Sequence, residues 1–215
     1  MPDLSPLLTG LPAPHYTYPE FRQLVTELAA AHRTTGPDQL PLLLHTTDQN
    51  QAHLDRAYAA ADPLLAELPA ALATHVPATG WDWVVLAEAW CGDTAHALPV
   101  LARVTEASGG RIGLRVLLRS DHPAVMAAHQ TNGKNSIPKL ICLSRATRHE
   151  LGAWGPRPAA AQALNVRLHD DKTLRVTQII RQMTAWYEAD QGQAIQHELL
   201  ALLPTWAAAQ SAEKS

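Results

Sequence analysis

The sequence predicts an α/β protein: a central mixed sheet flanked by helices, with extra helices at both ends. Three observations predict it. Near residue 80 the hydrophobic pattern changes from helical spacing to a continuous apolar run, Trp83-Val84-Val85-Leu86-Ala87, of the kind that fills a buried strand. A helical stretch and a second strand-like run, residues 112–118, follow at the spacing of a right-handed crossover, which makes the two strands parallel. A third run, residues 140–143, turns at 145–149 and returns antiparallel through 150–154.

Ahead of the sheet, residues 18–33 read as an amphipathic helix with Phe21, Leu24, Val25 and Leu28 on one face, stopped at Thr34-Thr35-Gly36-Pro37. A second helix is expected from an N-cap at Asp48 through Leu54 and Tyr58, and a third from Asp62-Pro63. Residues 77–80 are a linker. Within the sheet region, a helix starting at about Asp93 carries Ala97, Leu98, Leu101 and Val104 and ends at Gly109-Gly110. A short helix spans about 122–130, and Gly155-Pro156-Arg157-Pro158 opens another. Helices at 174–187, with Ile179, Ile180, Met183 and Trp186, and at 194–206, with Leu199, Leu200 and Leu203, close the chain. This divides it into an N-terminal helical extension (1–80), a core (81–170) and C-terminal helices (171–215), packed as one compact domain. There is no internal repeat, and only a short polar tail.

Composition sets limits on function. The chain has 215 residues, 47% of them apolar, with 17 basic and 20 acidic side chains for a net charge of -3. Without a basic run, nucleic acid and anionic membrane are poor partners. The start, Met1-Pro2-Asp3-Leu4-Ser5-Pro6, lacks the basic and apolar regions of a signal peptide, and no apolar run nears the roughly 20 residues of a membrane span. Two cysteines do not make a disulfide-stapled scaffold, so a cytoplasmic location is the default. Among the 11 histidines there is no His-Glu-x-x-His and no pair three or four residues apart; no metal is expected, and the histidines read as mostly surface. Gly133-Lys134-Asn135-Ser136 is not a phosphate loop, because the earlier glycine is missing and no helix follows.

The order strand, Trp90-Cys91-Gly92-Asp93-Thr94, helix, strand, helix, Ile137-Pro138, strand, hairpin, helix resembles the thioredoxin fold. It is most similar to a bacterial thioredoxin-like group with a single-cysteine Trp-Cys-Gly-Asp-(Ala/Thr) motif, a Tyr16-Thr17-Tyr18-like opening, a Ser136-Ile137-Pro138-Lys139-like segment and a Trp154-Gly155-Pro156-Arg157-Pro158-like segment. The resemblance covers nearly the whole chain. It implies that Pro138 is a cis proline facing Cys91, that Cys91 is the nucleophile, and that Trp90, Gly92, Asp93, Thr94, Ile137 and Pro138 shape its pocket. It also implies protein or low-molecular-weight thiols and disulfides as partners, and no cofactor.

The residues themselves suggest what Cys91 does. A cysteine at a helix N-terminus meets unpaired amides and the positive end of the macrodipole, which stabilise its thiolate. The Thr94 hydroxyl is placed to donate to the sulfur. Asp93 favours the neutral thiol if turned inward, and is harmless if turned to backbone amides. A moderately activated thiol is expected. Thr94 stands where a resolving cysteine would be, so the usual internal resolution step is missing. Cys142 lies four residues past Pro138, roughly 13 Å along a strand, whereas a disulfide needs Cα atoms within about 7 Å; it reads as a core residue. Two functions stay open: a monothiol thiol-disulfide oxidoreductase or thiol-transferase, and a non-catalytic binding or scaffold domain. Trp90 reads equally as pocket rim or core. His96, on the helix after Cys91, is a candidate to tune the thiol. Arg157 is expected to pair with a nearby acid rather than bind a ligand carboxylate, and Lys139 to be a solvated strand end rather than a site residue.

Overall fold

A computed structural model describes residues 10–212. The opening hexapeptide and the last polar residues discussed above lie outside the described residues. The described elements are α1 (Tyr18–Ala30), α2 (Pro41–Ala60), α3 (Leu68–His75), β1 (Trp81–Ala87), α4 (Gly92–Ala107), β2 (Ile112–Leu118), α5 (Pro123–Ala128), β3 (Lys139–Ser144), β4 (Glu150–Trp154), α6 (Ala159–Asp170), α7 (Val176–Asp190) and α8 (Gln193–Ala212).

The sheet order is β2-β1-β3-β4. β1 runs parallel to β2, with Trp81 opposite Ile112 and Ala87 opposite Leu118, and antiparallel to β3, with Trp83 opposite Cys142. β4 returns antiparallel on β3. The outer edge of β2 is covered by the Tyr16 backbone, which exchanges two hydrogen bonds with Val116 at 2.9 and 2.7 Å; this blunts an edge that would otherwise offer free amides.

Alternation along the strands divides the core in two. Trp81, Trp83 and Val85 of β1, with Leu140 and Cys142 of β3, face a large cluster that takes in residues of α1–α4 and α6–α8. Val84, Leu86, Ile141 and Leu143 face a smaller one with Val125 and Met126 of α5, Ile137 and Cys91. Trp206 of α8 packs edge-on against Trp81 and Trp83, with ring centroids 6.1 and 5.9 Å away. Gly152 makes room for it: its φ is +154°, and a Cβ there would collide with the Trp206 indole.

Two helix starts differ from expectation. α2 begins at Pro41, not near Asp48, which lies in mid-helix. The inward face of this helix is partly polar, with Thr46, Thr47 and Asn50 buried, so apolar spacing did not reveal it. The third helix begins at Leu68, not Pro63. The intervening segment is held as a turn because the Leu65 N–H donates to Oε1 of the fully buried Gln196 of α8 at 2.7 Å. The histidines also split. His96, His122 and His129 are buried. His122 Nε2 lies 2.8 Å from the Pro14 carbonyl, and His129 bridges the Val125 carbonyl and Glu150 at 2.7 and 3.0 Å. These partners are far away in sequence or on the residue's own helix, so composition does not betray them.

Candidate functional site

Cys91 is the N-cap of α4, directly after the turn that leaves β1. The strand ends at the carboxyl end of the sheet and the helix starts at once, with Gly92-Asp93-Thr94 placing an acidic residue and no bulky one in its first turn. Two residues of the N-terminal segment fix this turn. The Ala89 N–H donates to Thr35 Oγ1 at 2.8 Å, and Asn50 Nδ2 donates to the Ala89 carbonyl at 2.7 Å. Both are buried. The Cys91 Sγ lies 3.5 Å from the Ile137 carbonyl, and the Ile137–Pro138 peptide bond is cis.

Trp90, Cys91, Gly92, Asp93 and Ile137 line one cavity of about 370 Å³; Thr94 and Pro138 do not line it. Its walls come from α2 (Leu43, Asn50, His53), α4 (His96) and α7 (Ile179, Met183, Tyr187). Lys139 is absent from the lining and its Nζ donates to Thr131 at 3.3 Å. Cys142 belongs to the cluster on the opposite sheet face, fully buried, and both cysteines are free. Geometry therefore separates the two sulfurs as strand alternation requires.

Asp93 is turned sideways, neither at the sulfur alone nor at the amides. It forms a bidentate pair with Arg157, Nε to Oδ1 at 2.9 Å and Nη2 to Oδ2 at 2.6 Å, and accepts from the Tyr187 hydroxyl at 2.9 Å. The acid that Arg157 pairs with is thus the one beside the thiol. Arg157 also donates to Gln162 at 3.1 Å. Trp90 sits half-buried under the Arg119 guanidinium, 5.1 Å from its ring centroid.

The expected activation of the thiol is overturned. Burial, with the Asp93 charge second, pushes the Cys91 thiol up to about 11. Cys91 is 6% exposed, and desolvation disfavours its thiolate more than the helix end favours it. The Thr94 hydroxyl is buried nearby but makes no hydrogen bond of good geometry. The polarity of Thr94 and the Arg157 charge lower the thiol pKa, but not enough to offset burial. Burial also raises the Asp93 carboxyl above its ordinary range despite Arg157 and Tyr187. His96 stacks flat on Tyr187, centroids 4.7 Å apart, and tilts against His53 at 4.9 Å. Burial drives its pKa down to about 3, so it is neutral, and its Nε2 meets no partner among the described residues.

Sequence reasoning missed Thr35, Asn50, His53, Tyr187 and Arg119. From the sequence, Thr35 reads as part of a helix stop and Tyr187 as the last residue of a helix. Only Asn50, a polar residue at a helix position spaced with Leu54, carried a signal. Among the described residues no group of three or more His, Cys, Asp and Glu is placed to hold a metal ion, and no helix is long and apolar enough to cross a membrane.

A four-stranded mixed sheet with a cysteine at the head of the helix after β1, facing an Ile-Pro segment ahead of β3, defines a thioredoxin-like protein. A thioredoxin family profile matches residues 36–174, and the chain belongs to that family. No curated protein matches it. Among solved structures, a crystallised HIV epitope-scaffold is 18% identical over 87% of this chain and 98% of its own, with a TM-score of 0.51, a likeness of fold. A protein of unknown function from Pseudomonas aeruginosa is 15% identical over 85% of this chain and 99% of its own, with a TM-score of 0.47.

Proposed function

We propose that the chain is a cytoplasmic, bacterial thiol-transferase of the monothiol kind, with Cys91 as its nucleophile and Trp90, Gly92, Asp93, Thr94, Ile137 and Pro138 shaping the site. Segments 1–80 and 171–215 form one folding unit with the 81–170 core in this reading. The observation that supports it most is the position of the sulfur. It heads α4, next to the Ile137 carbonyl, on the wall of a cavity built by the terminal segments.

The exchange balances without an outside oxidant or reductant. Cys91 attacks one sulfur of a disulfide, giving a Cys91 mixed disulfide; the other sulfur leaves and takes the proton that Cys91 loses. A low-molecular-weight thiol then attacks the mixed disulfide, forms a new disulfide with the transferred group, and returns the proton to Cys91. No second protein cysteine takes part, as the separation of Cys91 and Cys142 requires.

A second reading, a non-catalytic thioredoxin-like binding or scaffold domain, is favoured by one observation: the thiol is buried and stays protonated at neutral pH. Mass spectrometry after challenge with small disulfides separates the two. Exchange predicts a single adduct on Cys91 that is released by added thiol, and none in Cys91→Ser. An intact, unmodified Cys91 would leave the binding domain as the function.

A further inference from the structure

The cavity over Cys91 has features that exchange chemistry alone does not require. Its volume, about 370 Å³, falls within the roughly 300–1,000 Å³ of small-molecule sites. Besides α4, it is walled by α2 and α7, which lie outside the β-α-β core, so the sulfur faces a pocket. The exposed large hydrophobic side chains among the described residues are Leu40, Leu42, Val166 and Val176. Leu42 and Val176 line the cavity while remaining 37% and 58% exposed, so they stand at its opening. Leu40 is two residues from the first, and Val166 adjoins Asn165, which also lines it.

The polar groups inside are mostly committed. Asp93 holds Arg157 at 2.6 Å, and Arg119 donates to the Asn135 carbonyl at 2.9 Å from above Trp90. Burial depresses the pKa of His53 and His96, which keeps them neutral at pH 7. An entering charge would lose its hydration and find paired or neutral groups in return, which costs several kcal/mol for an unpaired ion. Of the lining side chains, His96 carries the fully buried polar atom, Nε2, that has no hydrogen-bond partner among the described residues.

We propose that the cavity binds a small, mostly apolar molecule, with His96 Nε2 able to take up one hydrogen-bonding group where the ligand has one, and that such molecules are the disulfides presented to Cys91. The second clause rests on the exchange reading; the first stands without it. Apolar chains or rings pack on Leu43, Ile179 and Met183, enter past Leu42 and Val176, and reach the sulfur at the far wall. Strongly charged disulfides fit this lining poorly.

The test uses the full chain and its Cys91→Ser form, so that binding is read without chemistry. N-phenylnaphthylamine, a neutral fluorophore, is titrated in and then displaced by dibutyl disulfide or by glutathione disulfide. The expected result is one probe per chain in both forms, displaced by dibutyl disulfide at concentrations at least tenfold lower than by glutathione disulfide. Met183→Trp, which fills the cavity, and Leu42→Asp, at its exposed opening, should each weaken probe binding at least tenfold. Circular dichroism checks their fold, and Leu42→Asp decides the matter if Met183→Trp unfolds. No probe binding, binding unmoved by Leu42→Asp, or equal displacement by the two disulfides would overturn the inference. Adduct formation on Cys91 by glutathione disulfide alongside no probe binding would sink the apolar pocket and leave the exchange reading standing. Probe binding without any adduct would do the reverse.

Discussion

Replacing Asp93 with Asn tests the account of the thiol most directly. Cys91 is raised from an ordinary 9.0 to about 11. This lowers the thiolate fraction near neutral pH about a hundredfold. Burial is the larger cause and the Asp93 charge the second, while Arg157 acts in the opposite direction. Asp93→Asn removes the second cause and leaves the guanidinium uncompensated, so both changes lower the thiol pKa. The expected gain is roughly one unit, about tenfold in thiolate. The pH dependence of iodoacetamide alkylation reads it: the wild-type rate climbs through a midpoint near 11, and the variant's midpoint lies about one unit lower. Breaking a bidentate, largely buried pair should also cost about 3 kcal/mol, seen as a lower Tm. A folded variant whose midpoint is unchanged or higher would refute the electrostatic account.

Three further outcomes follow from the same geometry. The His96 pKa falls from 6.5 in the unfolded chain to about 3 in the fold, so the unfolded state binds the extra proton and stability falls as pH drops from 6.5 towards 3; His96→Phe should flatten the acid limb of a denaturation series, by up to about 5 kcal/mol at its low end. Asn50→Ala leaves the buried Ala89 carbonyl without its donor and should cost about 1–3 kcal/mol in urea denaturation, with a changed Cys91 alkylation rate because the turn before it loosens; an unchanged rate would show that the clamp does not position the thiol. Gly155 has φ +105°, and a Cβ there would strike the Pro138 carbonyl, so Gly155→Ala should destabilise by about 3 kcal/mol or more in thermal melts.

Much of the architecture is visible in the sequence because it is written in local patterns. β2 and β4 are found at the residues expected, 112–118 and 150–154, since apolar runs bounded by turn residues have few alternatives. α1 buries Phe21 and Val25 as its spacing predicts, and its start is sealed by a capping box between Thr17 and Glu20. α2 departs from its expected start for an equally physical reason. Proline starts it with no side-chain cap, and its inward Thr47 and Asn50 are matched by Thr34 and Ala89, partners that no helical period reveals.

The sequence by itself determined the sheet, the family and the place of Cys91 at the head of a helix, because these depend on residues close together in the chain. The state of that thiol was decided only by tertiary structure. Asp93 and Arg157 are 64 residues apart and Asp93 and Tyr187 are 94 apart, yet they meet beside the sulfur. The helices that bury Cys91 come from both ends of the chain. Desolvation depends on everything that excludes water, wherever it lies in sequence, and so the helix-end chemistry that the motif suggests gives way to a protonated thiol at the wall of a largely apolar cavity.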